Sequence, residues 1–269
     1  KEIEEKSKKL ALGLNVKGLL NIQFAIKDEE LFILEANPRA SRTMPFVAKV
    51  TGNQIIKAGT LLMLGYSIDE VRNKTKYLSS SSNKVAIKKA IFPWSRFPAE
   101  DTMLGPEMKA TGEVLGVGKE FGTALNKAYA AAGVEINNKE KGIFVTLSDS
   151  EKPNFIKTVN KYLELGFTLY STEGTGKFLK TNGIDSVIVG KADDLGQTSL
   201  TIIEDKLVSL VINTPTYANE LSDGWKIRRL SHETGVAVVS SVREADAFIE
   251  AFLNQNLVLD DLEVIQDVS

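Results

Sequence analysis

At 269 residues the chain has room for one or two domains with a buried core. Its 33 basic and 35 acidic residues leave a formal net charge of -2, so there is no broad electropositive field to hold a nucleic acid or an anionic membrane. Cysteine is absent, which removes disulfides, thiolate metal sites and cysteine nucleophiles together, and His232 is the only histidine, which works against histidine-built zinc sites and Ser-His-Asp hydrolysis.

In chain order, residues 3–14 carry apolar residues at helical spacing, with Gly13 and Asn15 as a stop. Residues 18–26 and 31–37 are two apolar, partly β-branched runs around Lys27-Asp28-Glu29-Glu30, which predicts a β-hairpin. Residues 51–65 read as one helix, 79–83 as a polar loop, 85–92 as a strand and 104–118 as a Gly-rich stretch, closed by an Ala-rich helix over 121–132. The polar, aperiodic Asn137-Asn138-Lys139-Glu140-Lys141 is the linker candidate, dividing a first part, 1–136, from a second, 142–269. Beyond it strands are expected at 143–147, 167–171, 186–189, 208–213 and 236–240. Helices alternate with them at 153–165, 176–181, 199–206, 225–233 and 244–255. Such alternation predicts parallel βαβ units and a five-stranded doubly wound sheet, which takes ligands beyond the carboxyl ends of its strands. No apolar run reaches the ~18 residues of a membrane span, and residues 1–10 form a charged helical stretch rather than a secretory leader. The expectation is a soluble cytoplasmic protein with no membrane or nucleic-acid partner, and its start in mid-helix without methionine points to a piece of a longer chain.

The hairpin carries the first chemistry. Glu35 and Asn37 are two residues apart and so share a strand face, and a three-residue hairpin loop places Gln23 opposite Glu35, whereas a two-residue loop turns it to the other face. One carboxylate and two amide oxygens suit Mg²⁺ or Mn²⁺, and Arg39 and Arg42 follow to neutralise a transferring phosphoryl group. Spacing alone leaves open an ordinary amphipathic hairpin with solvated polar residues.

The wider string Leu34-Glu-Ala-Asn-Pro-Arg-Ala-Ser-Arg-Thr-Met-Pro-Phe-Val-Ala-Lys, preceded by Gly18-Leu-Leu-Asn-Ile-Gln-Phe, resembles the metal-binding end of the second ATP-grasp domain of carbamoyl-phosphate synthetase large subunits. Leu104-Gly-Pro-Glu-Met-Lys-Ala-Thr-Gly-Glu-Val resembles the segment that closes the same domain. The resemblance implies that 1–136 is the C-terminal part of an α+β ATP-grasp domain. Gln23, Glu35 and Asn37 would hold the metal ions that bridge ATP phosphates, and Arg42 would contact the phosphate or substrate region. It implies an ATP-dependent ligase as the parent, making carbamoyl phosphate from bicarbonate, a glutamine or ammonia nitrogen and two ATP, with this half phosphorylating carbamate. The lobes that cover adenine lie upstream in that family, so the chain alone is expected to be inactive.

The second chemistry sits in Ser171-Thr-Glu-Gly-Thr-Gly-Lys, where a predicted strand gives way to a helix and hydroxyls, free amides and a helix N-terminus favour an anion. Ordinary capping by Thr172 or Thr175 is the alternative. Residues 148–152, Lys191, Asn213-Thr214-Pro215-Thr216, and Ser240 with Ser241 follow the other four strands, so one rim gathers them all.

This half resembles the methylglyoxal-synthase-like domain that ends those synthetase subunits and binds nucleotide effectors such as UMP or IMP. By that resemblance Lys152, Thr172, Thr175, Lys191, Asn213 and Thr214 would hold the effector. Pro215 stands where some members have a second Thr, Arg228 and Arg229 match a paired-arginine feature, and Lys89 occupies a place where ornithine-responsive members carry an acidic residue. The family also implies a glutamine amidotransferase small subunit as partner, service to arginine or pyrimidine synthesis, and an oligomeric parent. Two further readings stand beside the ligase: a purely regulatory nucleotide-binding module, and a methylglyoxal-synthase-type lyase resting on Asp193-Asp194-Leu-Gly-Gln, which lacks a histidine near the rim. His232 is expected to be an exposed structural residue, and Trp94 and Trp225 packing anchors.

Overall fold

A computed structural model describes residues 1–76, 84–92, 94, 112–134, 136, 142–214 and 222–254. The described residues of 1–83 form one compact unit and those of 84–257 another.

The first unit begins with α1 (Glu2–Gly13), whose acidic first turn suits the positive end of a helix dipole. Glu2–Lys6 and Glu4–Lys8 ion pairs at helical spacing add to it. Strands β1 (Asn21–Lys27) and β2 (Glu30–Asn37) then form an antiparallel hairpin. Its loop has two residues, Asp28 and Glu29, both with positive φ (49° and 64°), as a tight hairpin turn with matching twist requires. Of the two alternatives the loop is thus the two-residue one, not the three-residue one that would by itself set Gln23 opposite Glu35. A bulge does its work instead: Phe24 pairs with Ile33 and Gln23 with Glu35, so Leu34 is the extra residue.

The helix expected over 51–65 is two helices, α2 (Thr43–Thr51) and α3 (Ile55–Met63). Gly52, left-handed at φ 68°, ends the first, and only a residue without Cβ adopts that backbone cheaply. A further helix, α4 (Ile68–Lys74), opens on a capping box in which Ser67 and Glu70 satisfy each other's backbone N–H groups.

The second unit starts with the antiparallel pair β3 (Val85–Ile91) and β4 (Gly112–Gly118), followed by α5 (Phe121–Ala131). The loop expected at 79–83, the linker at 137–141, and the part of the Gly-rich stretch before 112 lie outside the described residues. Then come β5 (Gly142–Thr146), α6 (Lys152–Glu164), β6 (Leu169–Ser171), α7 (Glu173–Thr181), β7 (Val187–Ile188), α8 (Thr201–Glu204), β8 (Val208–Asn213), α9 (Asp223–Thr234), β9 (Ala237–Val239) and α10 (Val242–Leu253). The five strands are all parallel in the order β7-β6-β5-β8-β9, with short β7 and β9 at the edges. This is the doubly wound sheet expected.

Strand alternation divides the core into two layers. Ile143, Val145, Leu210 and Ile212 face Phe155, Val159 and Tyr162 of α6, Leu179 of α7, and Phe248 and Phe252 of α10. Phe144, Val208 and Val211 face the opposite way, towards Ile202 and Ile203 of α8 and Ile227 of α9. Leu125 and Tyr129 of α5 belong to the first layer, so β3, β4 and α5 pack with the sheet.

That packing is tight. A Cβ on Gly122 of α5 would stand 2.2 Å from the Glu250 carbonyl oxygen of α10. The Asn126 amide donates to the carbonyls of Ala251 (2.7 Å) and Asn254 (2.8 Å), closing the end of α10 from outside the helix.

Candidate functional site

The hairpin brings Gln23 and Glu35 into direct register, with Asn37 two residues along the same strand. The Asn37 amide nitrogen donates to Glu35 Oε1 at 2.9 Å, which leaves the Asn37 carbonyl oxygen as the acceptor available to a ligand. Gln23 and Glu35 are exposed and Asn37 half-buried. One carboxylate and two amide carbonyls are hard oxygen donors that fit Mg²⁺ or Mn²⁺, with waters and phosphate oxygens filling the remaining positions. Arg42 is the exposed residue just before α2, and Arg39 Nη1 donates to the Ala40 carbonyl at 3.2 Å. Among the described residues no three His, Cys, Asp or Glu side chains cluster as a metal site.

The rim of the parallel sheet is built by cross-bonded loops. Leu147 N–H, just past β5, donates to Thr175 Oγ1 of α7 at 3.1 Å, and Ser148 N–H donates to Thr214 Oγ1, just past β8, at 2.8 Å. Thr172, the residue preceding α7, donates its hydroxyl to Thr175 Oγ1 at 3.3 Å. The Thr175 and Thr214 oxygens accept from the backbone, which leaves each hydroxyl hydrogen to donate elsewhere, and the Ser148 hydroxyl stands 3.4 Å from that of Thr214. Asn213 ends β8 and is held by the buried Arg228, whose Nη1 donates to Asn213 Oδ1 at 2.8 Å.

Lys152 opens α6, and its Nζ lies 4.0 Å from where a Cβ on Gly174 would be, placing the ammonium beside the first turn of α7. Lys191, after β7, donates its backbone N–H to Asp194 Oδ2 at 2.7 Å, and its charge lowers the Glu173 carboxyl beyond the larger effect of Lys177. The structure thus joins Thr172 to Thr175, ties Thr175 and Thr214 to the successive backbone N–H groups of Leu147 and Ser148, and sets Lys152 beside the first turn of α7, while Asn213 is held by Arg228 and Lys191 is bonded within its own loop.

One residue differs from its expected surroundings. His232 is not exposed: its ring packs on Trp94 at 5.6 Å between centroids, and Trp94 stacks on Phe92 at 5.0 Å. Burial, followed by the charges of Lys89, Arg229 and Arg228, pulls the imidazole pKa down to about 4. Both arginines are buried, and Arg229 bonds Glu233 Oε1 (2.7 Å) and the Trp94 carbonyl (2.9 Å). Trp225 keeps a buried indole N–H without a partner among the described residues.

Lys89 places its ammonium 3.9 Å above the Tyr129 ring, whose hydroxyl donates to Glu244 Oε1 at 3.3 Å. Burial lowers the Lys89 pKa against the opposing pull of Glu244. Sequence reasoning missed Tyr129 and Glu244, which lie 115 positions apart and leave no local signal.

Residues 1–71 match the family model of the carbamoyl-phosphate synthase L chain, ATP binding domain, and residues 154–240 match that of the MGS-like domain. The chain is 38% identical over 264 residues to the carbamoyl phosphate synthase large chain, C-terminal section, of Aquifex aeolicus, covering 93% of this chain and 49% of that one. It is 39% identical over 251 residues to the section of the same name from Methanocaldococcus jannaschii, covering 90% and 40%. Against the carbamoyl phosphate synthase large chain of Archaeoglobus fulgidus the identity is 39% over 271 residues, covering 99% and 25%.

These matches define an α/β chain that joins a segment of an ATP-binding domain to an MGS-like domain. The chain belongs to the carbamoyl phosphate synthase large-chain family and corresponds to its C-terminal section. It spans about half the length, or less, of these three curated relatives.

Proposed function

We propose that the chain completes the metal corner of a carbamoyl phosphate-forming ATP site and carries the effector domain of the same ligase. The observation that carries this is the order of the two family matches on one chain. The oxygen-donor hairpin falls within residues 1–71 and most of the hydroxyl-lysine rim within 154–240. In the whole enzyme bicarbonate, glutamine or ammonia nitrogen and two ATP become carbamoyl phosphate, a glutamine amidotransferase small subunit supplies nitrogen, and the setting is the cytoplasm.

Gln23, Glu35 and Asn37 would hold Mg²⁺ or Mn²⁺, which neutralises charge on the ATP phosphates when bound. Arg42 places a guanidinium at the phosphoryl region and orients the group in transfer. At the other site a nucleotide such as UMP or IMP sets its phosphate against Lys152, Thr172, Thr175 and Thr214, with Lys191 and Asn213 completing the contact. The polar segment 137–141 is our boundary between the two parts of the chain, while the packing groups the described residues of 84–136 with the sheet.

A second reading, a regulatory module with no activity of its own, is favoured by one observation. Among the described residues of 1–83 only Leu31, Gly59 and Val71 are buried, whereas the sheet unit encloses two apolar layers. Calorimetric titration of the chain with UMP, IMP and ornithine tests the effector site. Saturable nucleotide binding is expected, weakened about tenfold by Lys191→Ala and by Thr175→Ala, the loss that removing one charged or buried hydrogen bond produces. Heat signals that neither substitution alters would overturn the assignment. ATP turnover by this chain alone would overturn the expectation that it is inactive by itself.

A further inference from the structure

The loop between β5 and α6 holds a carboxylate in a place that bears on how the rim takes its ligand. Asp149 Oδ1 lies 2.5 Å from Lys152 Nζ, yet the two side chains are placed very differently, with 15% of Lys152 exposed and 95% of Asp149. Lys152 is fixed against the protein, its ammonium beside the first turn of α7, close to where Thr172 and Thr175 stand. Asp149 reaches that ammonium from solvent. Hydrogen bonding and charge from Lys152 hold the Asp149 carboxyl below the usual carboxylate range.

A partly desolvated ammonium next to a helix N-terminus is a concentrated positive charge that needs an anion. The anion the structure gives it belongs to the chain itself. We propose that Asp149 is a built-in competitor for the anion the rim takes, so that a phosphate-bearing ligand binds Lys152 by displacing the Asp149 carboxylate. The proposal rests on the reading of the rim as a phosphate site, and adds to it a regulating residue and the chemical basis of its selectivity.

The selectivity follows from charge. A phosphate monoester carries about -1.5 to -2 near neutrality and three acceptor oxygens, which the Thr175 and Thr214 hydroxyls can serve together with Lys152. A carboxylate ligand brings one charge and meets an equal competitor already tethered in place. Asp149 thus screens the rim against simple carboxylates and lowers its affinity for phosphate without closing it. Asp194 does something different on the same rim: it accepts the backbone N–H of Lys191 and so shapes its loop.

The test is calorimetric titration of the full chain with inorganic phosphate, UMP and acetate, comparing the parent with Asp149→Asn, Lys152→Ala and the double variant. Because an exposed ion pair is worth little, Asp149→Asn is expected to tighten phosphate and UMP binding only about two- to five-fold. It should also raise acetate binding, and the gain should vanish when Lys152 is already alanine. Phosphate binding that weakens in Lys152→Ala but is unchanged or weakened in Asp149→Asn would overturn the proposal and leave the rim standing as a phosphate site. No phosphate or UMP binding to any of the four proteins would overturn the rim reading and the proposal with it. Matching thermal melts for parent and Asp149→Asn control for folding, and Asp149→Ser replaces the asparagine variant if those melts differ.

Discussion

His232 packs against Trp94 and faces Lys89, Arg228 and Arg229, so burial and three positive charges all oppose its protonation. With the imidazole held to about 4 in the fold and near 6.5 in the unfolded chain, the unfolded state binds the extra proton between those values. Stability from this residue is present above pH 6.5 and is lost as the pH falls towards 4. Urea unfolding between pH 7 and 4 should show His232→Gln losing less stability than the parent, by up to roughly 3 kcal/mol. Equal losses would contradict it. The sequence did not disclose this environment, because Trp94 and Lys89, which cover and charge the ring, lie more than 130 positions away. The lone imidazole on a polar helix looked solvated. By contrast Gln23, Glu35 and Asn37 were legible as one cluster because strand alternation is local, and only the device that keeps them in register was hidden.

At the scale of elements, α5 and α10 meet through a glycine and an asparagine. Gly122→Ala would drive a Cβ into the α10 backbone and should cost about 1 to 3 kcal/mol in denaturant unfolding. Gly13→Ala, with nothing within 4 Å, should be neutral or slightly stabilising and serves as the comparison. Removing the capping hydroxyl with Ser67→Ala should cost α4 about 1 kcal/mol, read as faster amide exchange over 68–74. That helix was open to detection, since Ser67 and Glu70 have the spacing of a capping box. The split between α2 and α3 at Gly52 was harder to see, because apolar residues continue across it and the break depends on one left-handed backbone position. In the second half the elements were found nearly where expected, because short β-branched runs separated by amphipathic helices leave few alternatives.

For the whole molecule, the packing of Leu125, Tyr129 and Ile136 into the sheet's core means that the MGS-like portion is covered by residues upstream of the 137–141 segment. A protein beginning at residue 84 should unfold cooperatively, whereas one beginning at 142 should expose the α10 face, melt at lower temperature and bind a hydrophobic dye. Equal melting of the two would show that β3, β4 and α5 add nothing to the sheet's stability. Composition and alternation made the parallel sheet legible, yet neither discloses which flanking residues a sheet recruits, since that depends on contacts between α5 and α10 separated by more than 100 residues.

The sheet's outer strands have a colloidal consequence. β7 has two residues and β9 three, so a neighbouring molecule aligning along either side finds only a few backbone groups to join. Val187 and Ile188 are 42% and 52% exposed and would otherwise make the β7 margin adhesive in crowded solution. Brevity, in place of a guard of charges, keeps the sheet from growing beyond its own chain.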